Sequence, residues 1–394
     1  MRERGNFWLK LADRCLGIPL LLALSSFRRK GIHARGNVLA IKVGTIGDTL
    51  LLLPVLKAIK EAEGVSSLDV VAGRGNFEVL RRYPFIDNVK VFEISKAARN
   101  PSYFKAFLAE LNGKEYGVVA DFEPWPRVTA ILSLMVKTGI KVGFDTKGQH
   151  RHFAYDIKVP HGNHVHESGN YSSLASAFDI KTEVPLKMLD FPVLDEEKEQ
   201  VEKALKELGI KEEKLVLIHP WSSGYKGWLK EWGAGNFSAL ALLLSRDGYT
   251  VGITGVKGEA HMSEEIVAGS SGAAVSFCGR FNLGSTAWLI KKSRLLISVN
   301  TGIMHLGSIM CTPLIVLDGP AGALRWGPAG AGKSCIIKGD FPCSPCLSLG
   351  FEYKCKDGGC MASISIDSVY GKAKEMLGEF SSGSKTKVVS ERYK

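Results

Sequence analysis

Three places in the sequence join reactive side chains to turns that can aim them. The first is Gly44-Thr45-Ile46-Gly47-Asp48, where an apolar run (Val38–Ile41 and Val43, broken once by Lys42) meets a glycine turn. Leu50, Leu51, Leu53, Leu56 and Ile59 follow at helical spacing, so Asp48 falls at an expected helix N-cap. A carboxylate there is either a plain cap or a general base at the mouth of a crevice, because open α/β sheets bind ligands beyond the carboxyl ends of their strands. The second is the loop His219–Trp228, where Lys226 lies near Ser222, Ser223 and Trp228. A lysine, two hydroxyls and free amides can hold a diphosphate. The third is Asn300-Thr301-Gly302, which ends a strand and opens a helix carrying His305. Amides at a helix start attract anions.

Other candidates are weaker. Arg74 follows the second strand and Arg127 starts a helix; both are candidate cations for an anionic acceptor. Gly327–Ser334 reads GPAGAGKS and satisfies the phosphate-loop pattern letter for letter. Its context fails: Ala321–Trp326 is not strand-like, and Cys335-Ile336-Ile337 favours strand where a helix is needed. Five histidines (His150, His152, His161, His164, His166) match no compact metal-ligand spacing and read as an irregular polar loop. Cys343, Cys346, Cys355 and Cys360 form C-x2-C-x8-C-x4-C, for which a structural zinc and paired or free thiols are the two readings.

The elements that must position these residues alternate between strand and helix. Strands are expected at Val38–Val43, Leu68–Ala72, Val89–Phe92, Tyr116–Phe122 and Lys141–Phe144. After a charged helix, Glu196–Leu208, the pattern restarts with strands at Leu215–Ile218, Thr250–Thr254, Ala274–Phe277, Leu295–Val299 and Leu314–Leu317. Two successive βα units imply two doubly wound, Rossmann-like domains facing across a cleft. The expected boundaries are 37–210 for an acceptor domain and 211–362 for a donor domain. A helix at 363–380 is expected to dock at their junction, and 381–394 to form a disordered tail.

At 394 residues the chain exceeds a single core, and 45% hydrophobic with 23% charged residues is ordinary for a globular protein. The net charge of +11 sits at the ends. Residues 1–36 hold eight Lys and Arg against Glu3 and Asp13, a net +6, and residues 381–394 carry +3. That distribution argues against a nucleic-acid partner and for an anionic membrane surface. The scattered cysteines Cys15, Cys278, Cys311 and Cys335 suit a reducing, cytoplasmic setting. The stretch Phe7–Leu24 is too short to span a bilayer. An interfacial anchor, a signal peptide and a helix packed on the domain are its three readings. The charge pattern favours the anchor on the cytoplasmic face of an inner membrane, separable from the folded domains, so that its removal leaves turnover almost intact.

Taken in order, TIGDTLLLLPVL (45–56), HPWSSGYKGW (219–228), GVKGE (255–259) and SVNTGIMHLGS (298–308), with Pro313 and Gly319-Pro320, resemble glycosyltransferase family 9, the heptosyltransferases of lipopolysaccharide core assembly. The likeness runs from about Val38 to Leu377. It implies a GT-B fold, inversion at the sugar, no catalytic metal, a nucleotide-sugar donor such as ADP-heptose and a lipid-linked anionic saccharide acceptor. By that likeness Asp48 matches the catalytic base, Lys226 and Ser222 contact donor phosphates, and Glu259 holds the ribose. Thr301 and Gly302 meet the pyrophosphate through their amides, and Asn300 and His305 join the donor site. The family usually shows Asp where this chain has Asn300, which bears on the donor sugar. The first 36 residues extend beyond the usual family start.

Overall fold

A computed structural model describes residues 11, 13–26, 36–182, 186–224, 226–347, 355 and 357–379. The described residues up to Leu189 form one compact unit, and those from Asp190 form a second, except Gly224 and Lys226, which group with the first.

The first unit is a six-stranded parallel sheet of β1 (Gly36–Lys42), β2 (Val65–Ala72), β3 (Asn88–Val91), β4 (Tyr116–Asp121), β5 (Thr138–Asp145) and β6 (Ile157–Pro160). Its order is β3-β2-β1-β4-β5-β6. β1 is central, with Val38 beside Leu68 of β2 on one side and Val118 of β4 on the other. Burial on both faces explains why β1 reads as a continuous apolar run. Leu39, Ile41, Val71, Phe92, Phe107 and Val119 form a core on one face.

Helix α1 (Gly17–Ser25) packs against the first unit rather than standing apart from it. Leu21 is fully buried with Ala130, Ile131, Leu134 and Tyr155. Asp13 Oδ1 accepts from the amide of Arg127, 2.9 Å, and Oδ2 from its Nη1, 2.7 Å. Of the three readings of this segment, its described residues show the packed helix, which corrects the expectation of a separable anchor. Its charged flanks, Trp8 and Leu9 lie outside the described residues. In chain order the unit continues with α2 (Ile46–Glu61) and α3 (Arg127–Met135).

The second unit repeats the plan. Its strands β7 (Leu215–His219), β8 (Thr250–Ile253), β9 (Ala274–Ser276), β10 (Leu295–Val299), β11 (Leu314–Asp318) and β12 (Ser334–Lys338) run β12-β11-β10-β7-β8-β9, all parallel. Around them lie α4 (Asp195–Glu207), α5 (Ala234–Arg246), α6 (Leu283–Lys292), α7 (Gly302–Ile309) and α8 (Ile366–Glu379). One expectation shifts here. α4 belongs to this unit, where Gln200 Oε1 accepts from Ser285 Oγ of α6, 2.7 Å, so the division falls near Leu189 and not at 210. α8 packs on the same unit, with Val369, Ala373 and Met376 in its core. The tail 381–394 lies outside the described residues.

The edge strands β6 and β12 escaped the sequence reading. β6 has a single buried position, Val159, and ends in Pro160, while β12 is exposed at both ends and half-buried between, so neither shows the buried run that marks the central strands. β12 also disposes of the phosphate-loop reading. The short helix Ala323–Trp326 precedes GPAGAGKS, and Ser334 opens a strand, so no helix N-terminus follows the motif. Its glycines serve close packing: a Cβ on Gly330 would lie 2.0 Å from the Ser308 carbonyl oxygen.

Candidate functional site

In both sheets the chain reverses its direction of growth at the centre, between β1 and β4 and between β7 and β10. Ligand crevices form outside the carboxyl ends of the strands at such switch points. The four loops that leave these strands carry Asp48, Arg127, Ser222, Lys226, Asn300, Thr301 and Gly302, whereas Arg74 and Glu259 follow β2 and β8.

In the first unit, the N-cap of α2 is Thr45 and Asp48 sits in the first turn, three positions after the cap it was expected to be. Thr45 Oγ1 donates to Asp48 Oδ2, 3.0 Å, which orients the half-buried carboxylate at a helix start that favours its charge. Buried groups hold the turn from below. Asn76 is fully buried and clamps two loops: its Nδ2 donates to the Lys42 carbonyl, 2.8 Å, and to Thr49 Oγ1, 2.9 Å, while its Oδ1 accepts from Gly73 N, 2.8 Å. Lys42 Nζ lies 3.5 Å from Glu123 Oε1 and 5.1 Å from the centre of the Tyr171 ring. A Cβ on Gly44 would come within 2.9 Å of Glu123 Oε1, so only glycine lets the turn pass this close to the ion pair. Sequence reasoning missed Asn76 and Glu123. The signal for the pair was present: a lysine interrupting a buried strand requires a charged partner.

Deeper at the β4 end, Arg151 Nη2 donates to Asp121 Oδ2 and to Tyr155 Oη, 2.5 Å each, and Tyr155 Oη donates to Asp121 Oδ2, 2.8 Å. Burial pushes the Tyr155 hydroxyl well above its usual value. Arg151 Nε and Nη1 are buried without partners among the described residues.

The two acceptor candidates part company. Arg74 stays half exposed and pairs with Glu93, 2.9 Å. Arg127 is buried and paired with Asp13, which replaces the expected acceptor contact with a structural one. The histidines take local roles: His161 pairs with Glu167, 3.3 Å, and His166 accepts from Ser168 N as a helix cap.

In the second unit, the β7 loop is pinned by Glu231, whose Oε1 accepts from Ser222 N, 2.9 Å. Burial pushes the Glu231 carboxyl up, and the Ser222 amide partly offsets that. Lys226, on the same loop but grouped with the first unit, is half-buried and adopts a left-handed backbone, φ 52°. Trp228 lines a cavity of about 420 Å³ together with Glu231, Trp232, Asn236 and Asp357. His219 at the strand end is buried, with Nδ1 3.1 Å from Thr254 Oγ1, and burial lowers its pKa to about 4. Glu259, on the loop after β8, accepts from Val256 N, 2.8 Å, and so caps its own turn; burial raises its pKa.

The β10 end leads into the N-terminus of α7. Thr301 is the N-cap of α7 with extended backbone, yet its hydroxyl makes no capping bond. Its Oγ1 is buried with no partner among the described residues. A hydroxyl beside the free amides of a helix N-terminus suits an anionic ligand. Asn300 Nδ2 donates to Asp318 Oδ1, 3.1 Å, at the end of the adjacent strand β11. Asp318, which the sequence reading passed over, thus puts a carboxylate next to the position where the family resemblance expects one. Burial raises its pKa, with Asn300 acting in the opposite direction. His305 is buried in the first turn of α7.

All four clustered cysteines are free thiols. Burial, with smaller contributions from Cys355, Cys346 and Cys343, pushes Cys360 up to about 11. Among the described residues, no three Cys, His, Asp or Glu are placed to hold a metal ion.

Two sheets of identical strand order, each carrying its reactive loops at the switch point, define an α/β protein of the GT-B class. Residues 105–356, well over half of the chain, match the family model described as glycosyltransferase family 9 (heptosyltransferase). The chain belongs to that family and is a glycosyltransferase. It is 25% identical over 338 residues to lipopolysaccharide heptosyltransferase 1 of Pseudomonas aeruginosa, covering 81% of this chain and 88% of that protein. Among solved structures it resembles a family 9 glycosyl transferase from Veillonella parvula, with a TM-score of 0.75, 20% identity and coverage of 89% and 100%. It also resembles the E. coli heptosyltransferase WaaC solved with ADP-2-deoxy-2-fluoro heptose, with a TM-score of 0.64, 18% identity and coverage of 86% and 99%.

Proposed function

We propose that this protein transfers heptose from ADP-heptose to a lipopolysaccharide inner-core acceptor, with inversion and without a catalytic metal. The observation that carries the reading is the unmatched Thr301 hydroxyl at the start of α7, a place suited to the pyrophosphate of a nucleotide sugar. Asp48 removes the proton of the acceptor hydroxyl as that oxygen attacks the anomeric carbon. The bond from that carbon to the diphosphate oxygen breaks, and the charge left on the nucleoside diphosphate is met by Lys226 and the amides of Thr301 and Gly302. Ser222 and Glu259 complete the donor contacts, and Arg74 serves the anionic acceptor. The enzyme works at the cytoplasmic face of the inner membrane; among the described residues no helix is long and apolar enough to cross one.

A second reading differs only in the donor sugar. Asn300 donates where a carboxylate would accept, and its bond to Asp318 changes what the sugar hydroxyls meet. A panel of nucleotide sugars assayed with EDTA tests both. Transfer from ADP-heptose undiminished by chelation supports the first reading. Transfer from another donor alone retains the family chemistry and replaces the sugar, and loss of transfer on chelation removes the metal-independent mechanism.

A further inference from the structure

Helix α1 is apolar on both sides although only one side is covered. Gly17 and Leu21 are buried against the first unit, and Leu24 packs at the edge of that core. Outward lie Cys15, Leu16, Pro19, Leu20, Leu22 and Ala23, all exposed and none charged. Leu16 is 69% exposed, and Leu20 and Leu22 are each 44% exposed. With Leu11 they supply four of the twelve large apolar side chains exposed among the described residues, all within twelve positions of one another. A surface helix normally turns a polar face to water, and a concentrated apolar face on a protein surface marks a partner.

Charge and length decide which partner. At nine residues the helix is too short to cross a bilayer. Arg14 is exposed at its start, and the sequence continues past Ser26 as Phe27-Arg28-Arg29-Lys30. No acidic residue occurs between Asp13 and Asp48, and Asp13 is already paired with Arg127. A second copy of this chain would set these cations against one another. Anionic headgroups complement them, and the acyl boundary just beneath accepts leucines.

We propose that α1 lies in the interface of an anionic bilayer with Leu16, Leu20 and Leu22 inserted, while it stays docked on the first unit through Leu21 and the Asp13–Arg127 pair. The helix is then a rigid foot that sets the distance and tilt of the first unit over the lipid, where a flexible tether would not. The inference rests on the proposed lipid-linked acceptor only for its purpose, and on the surface of α1 for its content.

The test uses the full chain and sedimentation with vesicles of phosphatidylcholine, alone or with roughly one third phosphatidylglycerol. Wild type is expected to bind the anionic vesicles. A variant combining Leu16→Gln, Leu20→Gln and Leu22→Gln is expected to bind ~10-fold or more weakly with an unchanged melting temperature, because these side chains face outward. Leu16→Gln alone, at the most exposed position, is expected to weaken binding in the same direction and keeps the test readable should the triple variant misfold. Vesicle binding unaffected by these changes overturns the proposal. So does a wild-type dimer that the leucine changes dissociate in the absence of vesicle binding, which would make the face a contact between copies. Sugar transfer to a soluble acceptor without vesicle binding sinks this inference alone, and vesicle binding without transfer sinks the catalytic reading alone.

Discussion

The two sheets share one strand order and differ in what they place at the switch point. The first unit presents a charged side chain and carries buried charge at the same strand ends: Asp48 accepts from Thr45, β1 ends in Lys42, paired with Glu123, and β4 in Asp121, paired with Arg151. The second unit presents backbone. Its α7 starts with an unmatched hydroxyl, and the buried groups near it are His219, lowered to about 4 and so neutral near pH 7, and the Asn300–Asp318 pair. A base must be fixed as a single atom in one geometry, which takes a rigid ionised support. A diphosphate is large and brings its own charge, so amides and hydroxyls held open suffice. On the proposed reading, one topology serves two kinds of recognition through the residues at four loop positions.

The largest test of this contrast is Asp48→Ala. Loss of a single general base lowers kcat by about 10²–10⁴, and affinity for ADP, read by calorimetry, is expected to hold because the first unit does not supply the phosphate amides. Undiminished turnover would remove Asp48 as base. Next in size is Arg151→Met. Removing one partner of a buried ion pair costs about 3–5 kcal/mol, and denaturant unfolding should show it. Arg151→Met combined with Asp121→Asn is expected to recover part of the loss, since the orphaned charge is then gone. If the single change costs less than about 1 kcal/mol, the ionised support is not what holds the first unit's loops.

The contrast was legible in the sequence only where it is local. The central strands announce themselves through two-sided burial, as Val38–Ile41 and Leu295–Val299 do, and glycine turns after them mark the switch points without any tertiary information. Asn76 was hidden because its partners Lys42 and Thr49 lie about thirty positions upstream, and a buried asparagine in a loop looks like a turn former. Glu123 and Asp318 were hidden for the same reason: each matters through a neighbouring strand. Arg127 misled because a cation at a helix start resembles an anion site, and its true partner, Asp13, lay in a segment read as separable. The placement of α4 with the second unit likewise depends on packing against α6, which hydrophobic spacing along one helix does not report.

His219 gives a pH test of the second unit. An ordinary histidine near 6.5 is lowered here to about 4 by burial. The unfolded chain therefore binds a proton that the folded one refuses between these values, and stability falls as pH drops from about 6.5 towards 4. The loss approaches ~3 kcal/mol at the acid end. His219→Gln removes the titrating group, so its stability against pH should be flatter by that amount in urea unfolding. An equal slope in both proteins would show that His219 titrates normally.

The smallest expected effect discriminates most sharply. Thr301→Val keeps the shape and the extended backbone of the α7 N-cap and removes only the hydroxyl. In the unliganded protein that hydroxyl has no partner among the described residues, so unfolding free energy should stay within ~0.5 kcal/mol of wild type. When a nucleoside diphosphate is bound, the hydroxyl is expected to donate to it, and a neutral hydrogen bond contributes about 1 kcal/mol. ADP affinity should then fall roughly fivefold, with KM for the donor rising in step and kcat almost unchanged. The opposite pattern, lower stability and unaltered ADP affinity, would make Thr301 a packing residue. The second unit would then hold its ligand by side-chain charge as the first does, and the division of labour between the sheets would fail.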